Sequence, residues 1–116
     1  DWGSVIPKYQ LSYIMGNPPF VARAGRTKAK DSSSKGMLDD TQKTDRLNVF
    51  GEDLGNVDYV ACWFKKAAVF TKNTAIRCAF VATDSICQGQ QIYPIWKNIL
   101  QDDIYINFAY KFFNYK

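Results

Sequence analysis

The sequence contains no histidine. This absence excludes, within this chain, serine or cysteine nucleophiles that are activated by histidine, and it excludes imidazole metal sites. Any chemistry must therefore use carboxylates, amides, aromatic rings or a cofactor. Cysteine is scarce as well: Cys62, Cys78 and Cys87 are odd in number, with long gaps and no C-x-x-C pair. This pattern argues against a disulfide framework or a zinc site. We expect reduced thiols, with Cys62 and Cys78 as small core residues.

Long apolar runs and a leader segment are also missing. No uninterrupted apolar stretch approaches the ~20 residues that a membrane span needs. The start of the chain has no charged segment followed by an apolar one. We therefore expect a cytoplasmic protein with no membrane partner. The chain begins with Asp1 rather than Met, from which we expect a piece of a longer protein.

The composition is that of a globular protein. The chain has 116 residues, of which 47% are hydrophobic and 16% aromatic, enough for one domain with a core but not for two. The chain has fifteen Lys and Arg and eleven Asp and Glu, so the net charge is +4. This mild basic balance is compatible with a polyanionic partner without requiring one.

The tetrapeptide Asn17-Pro18-Pro19-Phe20 follows a short apolar strand candidate at residues 11–16. Proline has no backbone N–H and restrains the residue before it to extended conformations, so this segment is stiff and offers carbonyl oxygens only. The side-chain oxygen of Asn17 and the carbonyl of Pro18 could both accept hydrogen bonds from one donor, such as the amino group of a planar base. Phe20 could stack on that base, a contact worth roughly 1–3 kcal/mol.

The same tetrapeptide is also typical of a stiff turn with no binding role. Its place at the carboxyl end of a predicted strand favours a ligand site, because ligands bind at that edge in open α/β sheets.

The remaining pattern alternates between helix and strand signals. Residues 21–55 are rich in glycine, serine and charge and predict a long mobile loop, with a short helix near residues 41–50. Helical spacing predicts a helix over 56–72, with Asn56 as its N-cap and Asp58 in its first turn, and a second apolar stripe from Ile92 to Leu100 with Pro94 near its start. Strands are predicted at 75–83 and 104–110. This order predicts an α/β fold with a mostly parallel sheet and flanking helices.

Four blocks in this order resemble the catalytic half of adenine-specific, amino-methylating DNA methyltransferases. The closest resemblance is to the large bacterial type that combines restriction and modification in one polypeptide. The blocks are residues 13–21 (Y-I-M-G-N-P-P-F-V), 55–64 (G-N-V-D-Y-V-A-C-W-F), 79–91 (A-F-V-A-T-D-S-I-C-Q-G-Q-Q) and 106–113 (I-N-F-A-Y-K-F-F). N-P-P-F alone is moderately specific, but the four blocks together are a strong signature.

The resemblance implies a partial Rossmann-like class I methyltransferase fold, with residues 1–116 forming one partial domain. It implies an enzyme that flips an adenine out of double-stranded DNA and methylates its amino nitrogen from S-adenosylmethionine. Asn17, Pro18, Pro19 and Phe20 match the catalytic motif of the family. Phe108 or Phe112 matches the second aromatic motif that lines the base pocket, and ordinary core packing is the alternative for both.

The resemblance also suggests two further sets of residues. Asp58 and Tyr59 match the side of the site that faces the cofactor, although their positions favour helix-capping and packing roles. Five cations follow the motif and could contact DNA phosphates or lie on a solvated loop: Arg23, Arg26, Lys28, Lys30 and Lys35.

Two other functions fit the same residues. N-P-P-F and N-P-P-Y also serve methyltransferases that act on ribosomal RNA bases or on a protein glutamine. A fragment kept only for binding DNA or protein is the second alternative. An exposed sheet edge could also drive self-association.

We predict that the 116-residue chain on its own binds S-adenosylmethionine weakly or not at all, and that it is inactive. In the resembling family, a glycine-rich loop and an acidic residue for the ribose precede N-P-P-F. The sixteen residues before Asn17 contain neither. Isothermal titration of this chain with S-adenosylmethionine is expected to show no saturable heat, and a saturable micromolar site would contradict the prediction.

Overall fold

The computed structural model describes residues 2–21, 38–55, 57–101 and 103–110. Two short strands, β1 (Tyr13–Gly16) and β2 (Arg77–Phe80), combine with three helices, α1 (Asp40–Phe50), α2 (Ala61–Thr71) and α3 (Ile92–Ile99). Single turns of 3-10 helix lie at Trp2–Ser4, Lys8–Gln10, Gly51–Leu54, Asp84–Cys87 and Gly89–Gln91. The α/β class predicted from the sequence is confirmed, with one small parallel sheet among the described residues.

The two strands pair in parallel, with Tyr13 opposite Arg77 and Gly16 opposite Phe80. One further backbone bond extends the ladder at each end: Arg77 N donates to Ser12 O at 3.0 Å, and Val81 N donates to Gly16 O at 3.1 Å. Parallel neighbours need a crossover connection, and α2 lies in it. Both strands thus form where they were predicted, within the wider ranges 11–16 and 75–83.

The third predicted strand, at 104–110, is wrong: the described residues 103–110 contain no strand. Ile104 packs against the core, whereas residues 105–110 are exposed. Phe108 contacts Tyr110, with 5.8 Å between the ring centroids. An apolar pattern predicts which faces would be buried, but a strand also needs a neighbouring ladder, and the described part of the chain offers it none.

Helix α2 begins at Ala61, five residues after the predicted start. Val60 occupies the N-cap position with no side-chain cap, and Asn56 lies outside the described residues. The turn before the helix is closed by Ala61 N donating to Asp58 O at 3.0 Å. The N–H of Asp58 donates to the side chain of Gln91 at 2.7 Å. This tertiary contact holds Asp58 in a turn before the helix rather than in its first turn.

Helix α1 confirms the predicted short helix near residues 41–50. Asp39 and Gln42 form a capping box, in which Gln42 N donates to Asp39 Oδ1 at 2.7 Å and Asp39 N donates to Gln42 Oε1 at 3.1 Å. The second half of the segment 21–55 is therefore helix and 3-10 turn rather than loop. Residues 22–37 of the segment lie outside the described residues.

The core lies between α1, α2 and α3. Its buried members are Phe50, Val57, Val60, Ala61, Cys62, Ala68, Ile86, Ile95 and Ile99. Burial raises the pKa of the Cys62 thiol to about 11, so the neutral thiol is the form that packs in the core. The prediction that Cys78 is also a core residue is wrong, because Cys78 on β2 is exposed. None of the described helices is long and apolar enough to cross a membrane.

Helix α3 confirms the second predicted helix and has a sharply divided surface. Ile95 is 0% exposed and Ile99 is buried, whereas Ile92 is 45% exposed. We predict that Ile95→Ala lowers the free energy of unfolding by about 2–5 kcal/mol, because it leaves a cavity in the core. Ile92→Ala is the matched control, with the same deletion on the same helix. Urea unfolding monitored by tryptophan fluorescence measures both, and equal losses would contradict the described packing.

Two glycines provide a second pair of matched variants. An added Cβ at Gly16 would lie 3.6 Å from the Phe80 ring, an ordinary contact, and Gly51 has nothing within 4 Å but a φ of +56°. We predict that Gly16→Ala raises the free energy of unfolding by about 0.4–1 kcal/mol, because the unfolded chain loses freedom. Gly51→Ala should lower it by about 1–2 kcal/mol, because φ is left-handed there. Urea unfolding would refute this assignment if both variants moved stability in the same direction.

Candidate active site at the carboxyl edge of the sheet

The tetrapeptide 17–20 begins where the β1 ladder ends. Gly16 makes the last ladder bond, so Asn17 is the first residue beyond the sheet. Asn17 and Pro19 are exposed, while Pro18 between them is buried. The buried ring of Pro18 anchors the segment, and its fixed φ limits how its neighbours can turn. This arrangement presents Asn17 to solvent at a defined place beside the sheet.

Phe20 is 50% exposed rather than enclosed in the core. Part of the side chain is therefore accessible to a partner, as the stacking role requires. The convergence of the Asn17 side-chain oxygen and the Pro18 carbonyl on one donor remains a prediction.

The end of β2 lies beside the end of β1, because parallel strands end at the same edge of a sheet. After β2, Thr83 and Ser85 share a hydrogen bond of 2.7 Å between their hydroxyl oxygens. Asp84 opens the 3-10 turn Asp84–Cys87 and accepts a hydrogen bond from Gln88 Nε2 at 2.8 Å. Thr83 makes no side-chain cap of this turn. The polar residues after β2 thus bond mainly to one another.

Asp58 is tied to two other segments at this edge. Its Oδ2 accepts hydrogen bonds from Ser85 Oγ at 2.5 Å and from Gln91 Nε2 at 3.1 Å. Its backbone N–H donates to Gln91 Oε1 at 2.7 Å. The carboxylate is therefore fixed between the start of α2, the end of β2 and the start of α3. Asp58 does not cap the first turn of α2, because the helix begins three residues later, at Ala61.

Tyr59 ties the same turn to α1. Its hydroxyl donates to Asp45 Oδ2 at 3.1 Å. Burial, and next the hydrogen bond to Asp45, raise the pKa of Tyr59 above its ordinary value. Tyr59 therefore stays a neutral hydrogen-bond donor at physiological pH, and the packing role considered for it from the sequence is present.

Three aromatic rings pack in a row next to the carboxyl ends of the strands. The Phe80 ring lies over Gly16 and meets Phe64 edge to face at 5.2 Å. Phe64 in turn meets Trp96 edge to face at 5.8 Å. Trp96 Nε1 donates to the carbonyl of Ile86 at 2.8 Å, so its polar atom is satisfied. This row joins β2, α2 and α3 and begins next to Gly16, the residue that precedes Asn17.

The structure brings only some of the predicted site residues together. Asn17 to Phe20 and Asp58 lie on segments adjoining the carboxyl edge. Phe108 is 60% exposed and contacts Tyr110, which does not support the core-packing alternative for it. Phe112 and the five cations lie outside the described residues: Arg23, Arg26, Lys28, Lys30 and Lys35. No cluster of three or more potential metal ligands occurs among the residues that the structure does describe.

Gln91 is a site residue that the sequence analysis missed. It is 2% exposed, and it is the buried polar side chain in the described part of the chain. Glutamine is usually a surface residue, so composition gives no warning. A signal was nevertheless present, because Gln91 precedes Ile95 by four residues and Ile99 by eight. This spacing places it on the apolar face of α3.

Comparison with known proteins identifies the family. The family model described as "MmeI, DNA-methyltransferase domain" matches residues 1–116. DNA methyltransferase A of Bacillus subtilis (strain 168) is 31% identical over 119 residues, which cover 99% of this chain and 12% of that protein. A solved structure of the Type IIL restriction-modification enzyme MmeI in complex with DNA matches with a TM-score of 0.70 at 39% identity. That match covers 86% of this chain and 12% of the MmeI chain.

This chain therefore spans about an eighth of the length of the two relatives that it matches. The match extends over all 116 residues and includes the four blocks on which the resemblance to DNA methyltransferases was based. The chain belongs to the MmeI DNA-methyltransferase domain family.

Proposed function

We propose that this chain provides the base-binding side of a restriction-modification DNA methyltransferase, which methylates the exocyclic amino group of a flipped-out adenine. The observation that carries the proposal is the tetrapeptide 17–20. It stands at the carboxyl end of a parallel strand with Asn17 and Phe20 exposed and Pro18 buried. Membership of the MmeI family supports methyl transfer, and the DNA in the MmeI complex supports a double-stranded DNA substrate.

The proposed fold is a partial Rossmann-like class I methyltransferase domain formed by residues 1–116. The parallel neighbours β1 and β2, with α2 in their crossover and α3 packed beside it, support this assignment. Such sheets bind ligands outside the carboxyl ends of their strands, and the segments that carry residues 17–20 and Asp58 adjoin that edge.

The chemical problem is that the amino lone pair of adenine is delocalised into the ring, which makes it a weak nucleophile. Asn17 Oδ1 and the Pro18 carbonyl would each accept a hydrogen bond from the amino group and favour a more tetrahedral nitrogen. These bonds strengthen as positive charge develops on that nitrogen, so they stabilise the transition state more than the bound substrate. The stiffness of the Asn-Pro-Pro backbone lowers the cost of holding both acceptors in place.

Phe20 would hold the flipped base from one face. Extruding a base costs a few kcal/mol, and stacking on an aromatic ring returns roughly 1–3 kcal/mol. Phe20 is half exposed, which is compatible with this role. Phe108 or Phe112 would supply a second wall of the same pocket.

The proposed methyl donor is S-adenosylmethionine, whose sulfonium supplies an activated methyl group. The cofactor-side candidates are Asp58 and Tyr59, on the turn before α2. The oriented carboxylate of Asp58 is an acceptor for hydroxyl or amino donors, and this chemistry fits the ribose and adenine of the cofactor. The five cations between Arg23 and Lys35 would contact DNA phosphates.

Two alternatives remain proposals of lower rank. Methylation of a ribosomal RNA base or a protein glutamine would use the same acceptor geometry, and a non-catalytic binding role would not need it. The relatives are described as a DNA methyltransferase and a restriction-modification enzyme, which favours DNA. A methylation-protection assay of the full-length enzyme on DNA separates DNA methylation from both alternatives.

We predict that Asn17→Ala in the full-length enzyme lowers methyl transfer to DNA by at least about 100-fold, because one transition-state acceptor is lost. Protection of DNA from cleavage and transfer of labelled methyl groups measure the loss. Asn48→Ala, at an exposed asparagine on α1, is the matched control and should keep wild-type activity. An Asn17→Ala enzyme with undiminished transfer would remove Asn17 from the mechanism.

A further inference from the structure

Gln91 makes a two-point contact with one residue. Its Oε1 accepts from the backbone N–H of Asp58 at 2.7 Å, and its Nε2 donates to Asp58 Oδ2 at 3.1 Å. The first bond fixes the backbone of the turn before α2, and the second fixes the direction of the carboxylate. Gln91 itself is 2% exposed and so is not available to a ligand.

Ser85 completes the arrangement from the end of β2. Its hydroxyl donates to the same Asp58 Oδ2 at 2.5 Å, and Thr83 bonds to Ser85 at 2.7 Å. Hydrogen bonds to a charged acceptor are stronger than those between neutral groups. Asp58 is part-exposed, and its carboxylate is held next to the segment that follows the carboxyl end of β2.

Packing alone does not explain a glutamine at position 91. It lies on the buried face of α3 with Ile95 and Ile99, where an apolar side chain would avoid the cost of burying an amide. The amide recovers that cost through its bonds to Asp58. We therefore interpret the buried amide as a group that orients Asp58, rather than one that only fills space in the core.

We propose that Gln91 is a positioning residue, which holds the Asp58 carboxylate where it accepts a hydrogen bond from S-adenosylmethionine. Gln91 acts through Asp58 and does not touch the ligand. The inference rests on the proposed function, because that function supplies the cofactor. It assigns Gln91 to the binding of the methyl donor rather than to the chemical step at Asn17.

The test uses the full-length enzyme with Gln91→Met, which keeps the length of the side chain and removes both polar atoms. The Kd for S-adenosylmethionine, measured by isothermal titration without DNA, is expected to rise about tenfold, the loss of one hydrogen bond to a charged group. The KM for S-adenosylmethionine should rise with it, while kcat should change by less than about twofold. Gln90→Met, at the exposed neighbouring glutamine, should leave both constants unchanged.

A double-mutant cycle with Asp58→Asn tests whether the effect passes through Asp58. If it does, Gln91→Met causes little further loss of affinity in the Asp58→Asn enzyme. Urea unfolding of each variant separates a loss of stability from a loss of affinity. If Gln91→Met does not fold, Ser85→Ala takes its place in the cycle, because it removes one donor at a part-exposed position and should raise Kd in the same direction.

Two results would overturn the inference alone. One is an unchanged Kd in the folded Gln91→Met enzyme, or in the Ser85→Ala enzyme if Gln91→Met does not fold. The other is fully additive losses in the cycle. A wild-type enzyme that neither binds S-adenosylmethionine nor methylates DNA would overturn the proposed function and this inference with it. Wild-type binding with an unaffected variant therefore separates the two failures.

Discussion

The parallel pairing of β1 with β2 is the constraint on which the rest of this structure depends. Four residue pairs and one further bond at each end fix the register, so both strands end at the same edge. The pairing places Asn17 beside the polar turn that follows β2. Because parallel neighbours require a crossover, it also requires α2 to pack back on the sheet. The Phe64 and Phe80 rings make that contact, and Trp96 extends it to α3.

The core is built mostly from small and branched apolar residues, and one buried amide interrupts it. Val57, Val60, Ala61 and Ile95 pack closely between the helices. Gln91 enters the same region from the start of α3 and satisfies its polar atoms on Asp58. The result is a turn before α2 that is held by specific bonds rather than by helix propensity. That turn is the part of the molecule in which local sequence rules are overridden.

The predictions from sequence were right where local patterns decide the structure and wrong where contacts between distant segments decide it. Strands 77–80 and 13–16 and helix α3 were predictable, because their apolar spacing and flanking residues agree with the fold. The start of α2 was not, since the bond from Asp58 to Gln91 spans 33 residues, and spacing within the helix gives no information on it. The strand at 104–110 failed because pairing is not a local property. Of the candidate site, the tetrapeptide and Asp58 were identified from the sequence, and Gln91 was not.

The two groups of acceptors at the carboxyl edge are fixed in different ways. Around Asn17, covalent structure fixes the geometry: two prolines restrain the backbone and Pro18 is buried, while Asn17 stays exposed. Around Asp58, hydrogen bonds from Ser85 and Gln91 fix the carboxylate, and they persist only while the end of β2 and the start of α3 stay packed against it. The first group keeps its geometry through local stiffness. The second reports whether α3 and the end of β2 are in place, so the proposed cofactor contact at Asp58 depends on the packing of both segments.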